Sequence, residues 1–250
     1  MRIKKIGICA VFLLIGNITL SVAIEETPPM YQRLPDWFLP LREAIFEQTL
    51  MADAVSVIYN EAAAKARASL SGAELDAILS RCEYMMGRAY QEEKRDAEAL
   101  VCYEKGIALA ERSIGQRPTA EAYEMLSCNY GQACMLKPTT WVMANGLKVE
   151  QNAKRALNLD PRNAACQYYI ASRWVFGPGI LGNPQKGIAD MKAILTGADM
   201  GKDDYFNVYS SIGYAYIRLK KKQDALPWIQ KSLAIYPTNK FALGLLAQTN

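Results

Sequence analysis

One stretch near the end of the chain limits what the whole can become. From Tyr205 to Pro237 the sequence reads YFNVYSSIGYAYIRLKKKQDALPWIQKSLAIYP. Apolar or small residues fall at Tyr209, Ile212, Gly213 and Tyr216, and again at Ala225, Ile229 and Ser232, which is the spacing of threes and fours that gives a helix one buried face. The segment Lys220-Lys221-Lys222-Gln223-Asp224 has no apolar residue and marks a polar turn between two such helices. Gly213 facing Ala225 would let the pair approach closely. Pro237 ends the second helix because proline lacks an amide donor and clashes with the preceding turn. A single hairpin of this kind leaves its apolar stripe uncovered, so further hairpins are expected to stack against it.

Related patterns recur upstream. A first repeat, about 73–118, carries Met86-Gly87, Tyr90, Ala99 and Tyr103, and its second helix runs on to Pro118. A second, 119–161, opens with Thr119 as N-cap, has Leu126, Ser127 and Tyr130, and closes with Ala153, Ala156 and Asp160-Pro161. Its surplus residues around Lys137 to Met143 read either as an apolar loop or as an early start to the second helix. A third, 163–199, has Ile170, Ala171 and Trp174, a loop from Phe176 to Gly182, and Asn183-Pro184 to cap and start its second helix. The stretch described above, 205–237, is the fourth.

This order of residues resembles the tetratricopeptide repeat, whose signature is a large residue, then Leu-Gly, Tyr, Ala, an aromatic, Ala and Pro at fixed offsets. The matching structural positions are Gly87, Tyr90, Ala99, Tyr130, Pro161, Ala171, Gly213, Tyr216, Ala225 and Pro237, with Ile229 and Ser232 standing where the family has an aromatic and Ala. The intervals exceed the roughly 34 residues of the family pattern. The resemblance spans about 73–237 and implies an all-α fold, a right-handed α-α superhelix of about four hairpins with capping helices at both ends. Leu41 to Leu70, free of Gly and Pro, is expected to be one long N-terminal capping helix. Ser71 with Glu74 forms the pattern of a capping box for the next helix. Asn239 to Gln248 supplies the C-terminal cap. Together these occupy 41–250, after a proline-rich lead-in at 24–40 that is expected to be extended, with Trp37 and Phe38 packed on the first helices.

Residues 1–23 have a basic start, an apolar run from Ile6 to Ile15 and a small-residue end at Ser21-Val22-Ala23. They read as a signal peptide cleaved after Ala23, which places the mature chain in the periplasm or outside the cell. The alternative is a membrane anchor through an uncleaved N-terminus, against which Gly16, Asn17, Thr19 and Ser21 shorten the apolar stretch. Loss of Arg2, Lys4 and Lys5 takes the net charge from +4 to about +1, too little to argue for nucleic acid. Five cysteines remain after export, Cys82, Cys102, Cys128, Cys134 and Cys166. Their odd number and lack of CxxC spacing favour small buried thiols over a zinc site, and one bridge between adjacent hairpins stays open. Histidine is absent, which removes the commonest general base and imidazole metal ligands. With no glycine-rich phosphate cradle and no isolated carboxylate pair, neither an enzyme nor a cofactor is expected.

In the tetratricopeptide superfamily the inner surface of the superhelix is lined by the first helix of each hairpin. Carried onto this sequence, the resemblance assigns Arg81, Tyr84, Arg88, Glu124, Gln132, Tyr168, Ser172, Asn207 and Tyr214 to that concave face. Such a mixture of Tyr, Arg and amides suits an extended peptide or a partly apolar small molecule. The Lys/Asn clamp that some members use for carboxylate tails is missing. The loop residues Trp141, Trp174, Phe176 and Ile180 would cluster on one edge, either sealing a widened core or forming a contact. The expected role is an exported scaffold that binds another protein or an extended peptide, its partner an envelope protein, without requiring membrane contact. The alternative is a transport-associated binder of a small apolar ligand, since exported repeat proteins with enlarged loops are also similar to the periplasmic helical partners of tripartite TRAP transporters.

Overall fold

The computed structural model describes residues 34–177, 179 and 182–249. The expected signal peptide, most of the lead-in, Ile180 and Leu181 lie outside the described residues. Among the described residues every regular element is helical. A 3-10 turn, Asp36–Phe38, leads into α1 (Leu39–Glu47), α2 (Ala52–Ser69), α3 (Gly72–Glu92), α4 (Asp96–Gln116), α5 (Ala120–Leu136), α6 (Thr139–Asn145), α7 (Leu147–Leu159), α8 (Ala164–Phe176), α9 (Pro184–Gly197), α10 (Lys202–Arg218), α11 (Lys222–Ile235) and α12 (Lys240–Ala247). The described residues form an all-α solenoid of stacked helical hairpins, as the repeat pattern implied.

The four expected hairpins are α3/α4, α5/α7, α8/α9 and α10/α11. Each packs on the next, and the first helices also touch one another in series, α3 on α5, α5 on α8, α8 on α10. Two layers result, α3, α5, α8 and α10 inside and α4, α7, α9 and α11 outside. Thr119, Asn163, Asn183 and Asn239 cap the helices that follow them, each side-chain oxygen accepting an amide of the first turn. The surplus in the second repeat is the short helix α6, running almost directly into α7 through Gly146.

Small residues let paired helices touch. A Cβ on Gly87 would stand 2.5 Å from the Tyr103 ring, so the α3/α4 crossing depends on its absence. In the last hairpin the residue that fits against Gly213 is Ile229, whose Cγ1 would lie 2.6 Å from an added Cβ, rather than Ala225 as expected. Ala225 is fully buried beside Ile229 and Leu245, under the C-terminal cap.

Other expectations need correcting. The stretch 41–70 is two helices, because Gln48 adopts a left-handed conformation, φ 55°. Neither Gly nor Pro marks this break; distant contacts impose it. The Gln48 side chain accepts the Lys240 amide at 2.7 Å, Asn239 donates to the Phe46 carbonyl at 2.8 Å, Thr238 donates to the Glu47 carbonyl at 2.6 Å, and Glu93 accepts the Ala52 amide at 2.5 Å. Pro40 sits inside α1 rather than in an extended lead-in, at a first-turn position that needs no donor, while Phe38 is buried and Trp37 packs on the core. Ser71 occupies the N-cap of α3 without a side-chain bond, so the capping box does not form. Gly72, at φ 57°, makes the turn instead.

The same contacts join the two ends of the solenoid. Phe46 of α1 stacks on Tyr236 at 5.2 Å and meets Phe206 edge-on at 5.8 Å. Arg42 is paired with Asp203, which also accepts the Tyr236 hydroxyl. The N-terminal cap therefore lies against the fourth hairpin as well as the first, and the inner layer of helices curves around a partly open space.

Candidate functional site

That space is a cavity of about 960 Å³ on the concave side. Its walls carry Arg81, Tyr84, Arg88, Glu124, Gln132, Tyr168, Ser172 and Asn207, which the signature offsets had assigned to the inner face. They converge because the exposed stripe of each inner helix faces away from its hairpin partner. Tyr214 stands one layer back, stacked on Phe176 at 5.1 Å and tilted against Phe241, and it is these two rings that reach the cavity.

The loop-edge residues divide. Trp174 and Phe176 line the cavity, with the guanidinium of Arg173 4.2 Å from the Trp174 ring centre. Trp141 packs instead against the first core, stacked 6.1 Å from Tyr130. Its neighbour Val142 reaches the wall while Met143 faces solvent.

Closure brings in residues that the repeat pattern does not assign to the inner face. Arg42 and Phe46 come from α1, Phe206 from the start of α10 and Asn239 from the cap of α12. Tyr169, beside Tyr168, also faces inward. Its hydroxyl lies 2.8 Å from that of Tyr84, which accepts from Arg88 at 3.1 Å. Tyr168 reaches the Ser211 hydroxyl at 3.1 Å. Nothing in the signature marks Tyr169, since it lies one residue from the predicted stripe.

Arg81 and Glu124 form a buried pair at 3.1 Å, with Asn163 donating to the other carboxylate oxygen at 2.9 Å and Glu121 3.3 Å from the guanidinium. Burial pushes the Glu124 carboxyl up, while Arg81 and Asn163 pull it back. Both groups are saturated by the protein, so this pair braces α3 against α5 and the cap of α8. Burial also pushes up the Cys128 thiol and the Tyr168 and Tyr169 hydroxyls, which therefore stay protonated at neutral pH. The cavity offers neutral hydroxyls and amides among apolar walls, together with charged groups of which Arg42, Arg81 and Arg173 are paired with carboxylates. All five described cysteines are free thiols. Among the described residues no group of three or more Cys, Asp or Glu is placed to hold a metal ion, and no helix is long and apolar enough to cross a membrane.

A family model described as tetratricopeptide repeat matches residues 83–113 and 206–239, which fall on the α3/α4 and α10/α11 hairpins. The chain carries tetratricopeptide repeats. A thermophilic TPR protein from Thermus thermophilus is similar in structure, with a TM-score of 0.52 and 17% identity over 85% of this chain and 98% of that one. At such identity the likeness concerns the fold. Two further structures align less well. YrrB, described as a TPR protein with an unusual peptide-binding site, gives a TM-score of 0.37 at 14% identity over 84% of this chain and 90% of its own. The APC/C hetero-tetramer Cut9-Hcn1 gives 0.46 at 11% identity, over 85% of this chain and 42% of the aligned one. No curated protein matches the sequence. The middle repeats, α5/α7 and α8/α9, fall outside the family match; they carry α6 and the lengthened 177–183 connection, which stretch the repeat between its signature positions.

Proposed function

We propose that this tetratricopeptide repeat chain is a non-catalytic binding module that takes an extended segment of a partner protein into its concave cavity. The observation that carries the reading is the cavity itself. Its volume falls at the upper end of the range for ligand sites, about 300–1,000 Å³, and its walls combine apolar rings with hydroxyls, amides and mostly paired charged groups. Those groups suit apolar side chains separated by peptide groups. Chemistry finds little support there, since the thiols and phenols are protonated and the Arg81–Glu124 pair is saturated.

The basic, apolar and small-residue pattern of residues 1–23 supports export, with an envelope protein as the partner. N-terminal sequencing of chain purified from the envelope should begin at Ile24; a start at Met1 would leave the anchored form. For the partner, a photo-crosslinking residue at Gln132, on the cavity wall, should capture a single species, whereas one at exposed Lys154 should not. Equal capture from both positions would reject the concave site. The second reading, a small apolar ligand, draws on the same volume, and its kinship with TRAP-associated proteins rests on sequence pattern alone. A low-molecular-weight species released on denaturing the purified chain would favour it.

A further inference from the structure

Most of the strong cations on the cavity wall are already satisfied. Arg42 is paired with Asp203, Arg81 with Glu124 and Glu121, and Arg173 with Glu150. Arg88 differs. It lies half-buried in the middle of α3, and its one hydrogen bond is from Nη1 to the Tyr84 hydroxyl at 3.1 Å, with no carboxylate within ion-pair distance among the described residues. Glu92, one turn along α3 and exposed, makes no ion pair with it. Gln91, also on the wall, is occupied on its oxygen, which accepts from Tyr103 at 2.7 Å. Its amide NH2 is the group left to donate.

A guanidinium in a largely apolar wall is costly to leave without a counter-charge, and here it stands three residues from a second donor on the same helix. We propose that Arg88, with Gln91, recognises the carboxylate of a ligand whose apolar part fills the rest of the cavity. Among the described residues Arg88 is the wall arginine without a carboxylate partner, and since the wall also carries Glu92, Glu124, Asp203 and Asp204 it suits a monoanion rather than a more highly charged group. The guanidinium fork fits the two oxygens of a carboxylate, whereas a phosphate dianion would call for more unpaired cations than the wall supplies. The cavity is far larger than a carboxylate, and the remainder is walled by rings and aliphatic groups such as Phe46, Met85, Met125 and Phe206. The inference deepens the cavity reading above and rests on it. In that reading the carboxylate is the C-terminus of the bound segment; a free carboxylic acid with an aliphatic chain would present the same chemistry.

Trp174 on the wall allows binding to be followed by intrinsic fluorescence, with calorimetry as a second readout. The probes are sodium dodecanoate against dodecanol, and an apolar hexapeptide with a free C-terminus against its C-terminal amide. The chain from residue 24 to 250 should bind the carboxylate member of at least one pair roughly 10-fold or more tightly than its neutral counterpart, the size expected for one charge-assisted bidentate contact. Preference within the peptide pair assigns the source to a chain terminus, and within the aliphatic pair to a free acid. Arg88→Gln should abolish the preference by weakening the carboxylate member of the pair, and Arg88→Lys should restore only part of it. Should Arg88→Gln fail to fold, Gln91→Glu, which sets a negative charge beside the intact guanidinium, should weaken the carboxylate probe selectively. Binding of both members with equal affinity would overturn the assignment of Arg88 and leave the cavity reading standing. Binding of neither would overturn both.

Discussion

The two hairpins that match the tetratricopeptide pattern, α3/α4 and α10/α11, are built alike and used differently. In each, a glycine in the first helix admits a large side chain from the second, Tyr103 against Gly87 and Ile229 against Gly213. In the first hairpin the inner helix gives the cavity its polar chemistry, Arg81, Tyr84, Arg88 and Gln91. In the fourth, the inner helix contributes short polar groups, Asn207 and Ser210, while Phe206 and Asp203 at its start hold α1. One repeat architecture thus supplies the charged and polar wall at one end and closure at the other. The signature residues fix how two helices cross and are silent about what the opposite face carries.

The largest effect should come from the closure. Phe46→Ala removes a buried ring that touches both Phe206 and Tyr236, and should cost about 3–5 kcal/mol. Limited proteolysis should then cut between α1 and α2 and loosen the fourth hairpin before the first. Uniform loosening would show that the two hairpins do not differ in their dependence on α1. Next, Gly87→Ala should destabilise by about 2 kcal/mol through overpacking against a fully buried, hydrogen-bonded ring. Gly213→Ala should cost nearer to about 1 kcal/mol, because the added methyl would meet one Ile229 atom within 3 Å where three Tyr103 ring atoms crowd Gly87. Thermal melts of the two variants compare the crossings directly, and equal shifts would erase the distinction.

Tyr103→Phe should cost about 1 kcal/mol by removing the bond to Gln91, and should also relax any carboxylate preference of the cavity. A stability change with no change in preference would separate the scaffold of the first hairpin from its site. The smallest effect is acid-dependent. The hydrogen bond from Arg112 holds the Asp76 carboxyl below its ordinary 3.8 against the opposing effect of burial, with Gln116 assisting. A carboxylate whose folded pKa is depressed stabilises the fold above its unfolded value and loses that contribution as pH falls through the folded value. Arg112 is largely exposed, so after solvent screening the contribution is roughly 1 kcal/mol or less. Asp76→Asn should flatten the decline in stability below pH 3.8. An unchanged slope would show that this bridge between α3 and α4 adds nothing.

The local features were legible wherever neighbours in sequence decide the outcome. Thr119 and Asn183 cap helices as expected because a side-chain oxygen two or three residues from an orphan amide needs no tertiary help, although Ser71, an N-cap by the same pattern, makes no such bond. The inner-face residues could be assigned because a helix with one buried stripe must turn the opposite stripe outward. The break at Gln48 was not legible, since residues 41–70 contain nothing that stops a helix, and its carbonyls and side chain are claimed by Thr238, Asn239 and Lys240. The partner of Gly213 was misread for a related reason: sequence offsets identify which residues are small, whereas the crossing geometry selects which neighbour fills the gap.

By itself the sequence determined the helical hairpins, their order and most of the inner-helix side chains that face inward, Tyr214 and Tyr169 excepted, because helix periodicity and caps act over a few residues. Only the tertiary structure decided that the ends meet, that Phe46, Phe206 and Arg42 complete the wall, and that Arg88 is left without a carboxylate while its fellow arginines are paired. These outcomes depend on which distant groups come within a few ångströms of each other. No local spacing in the chain encodes that distance.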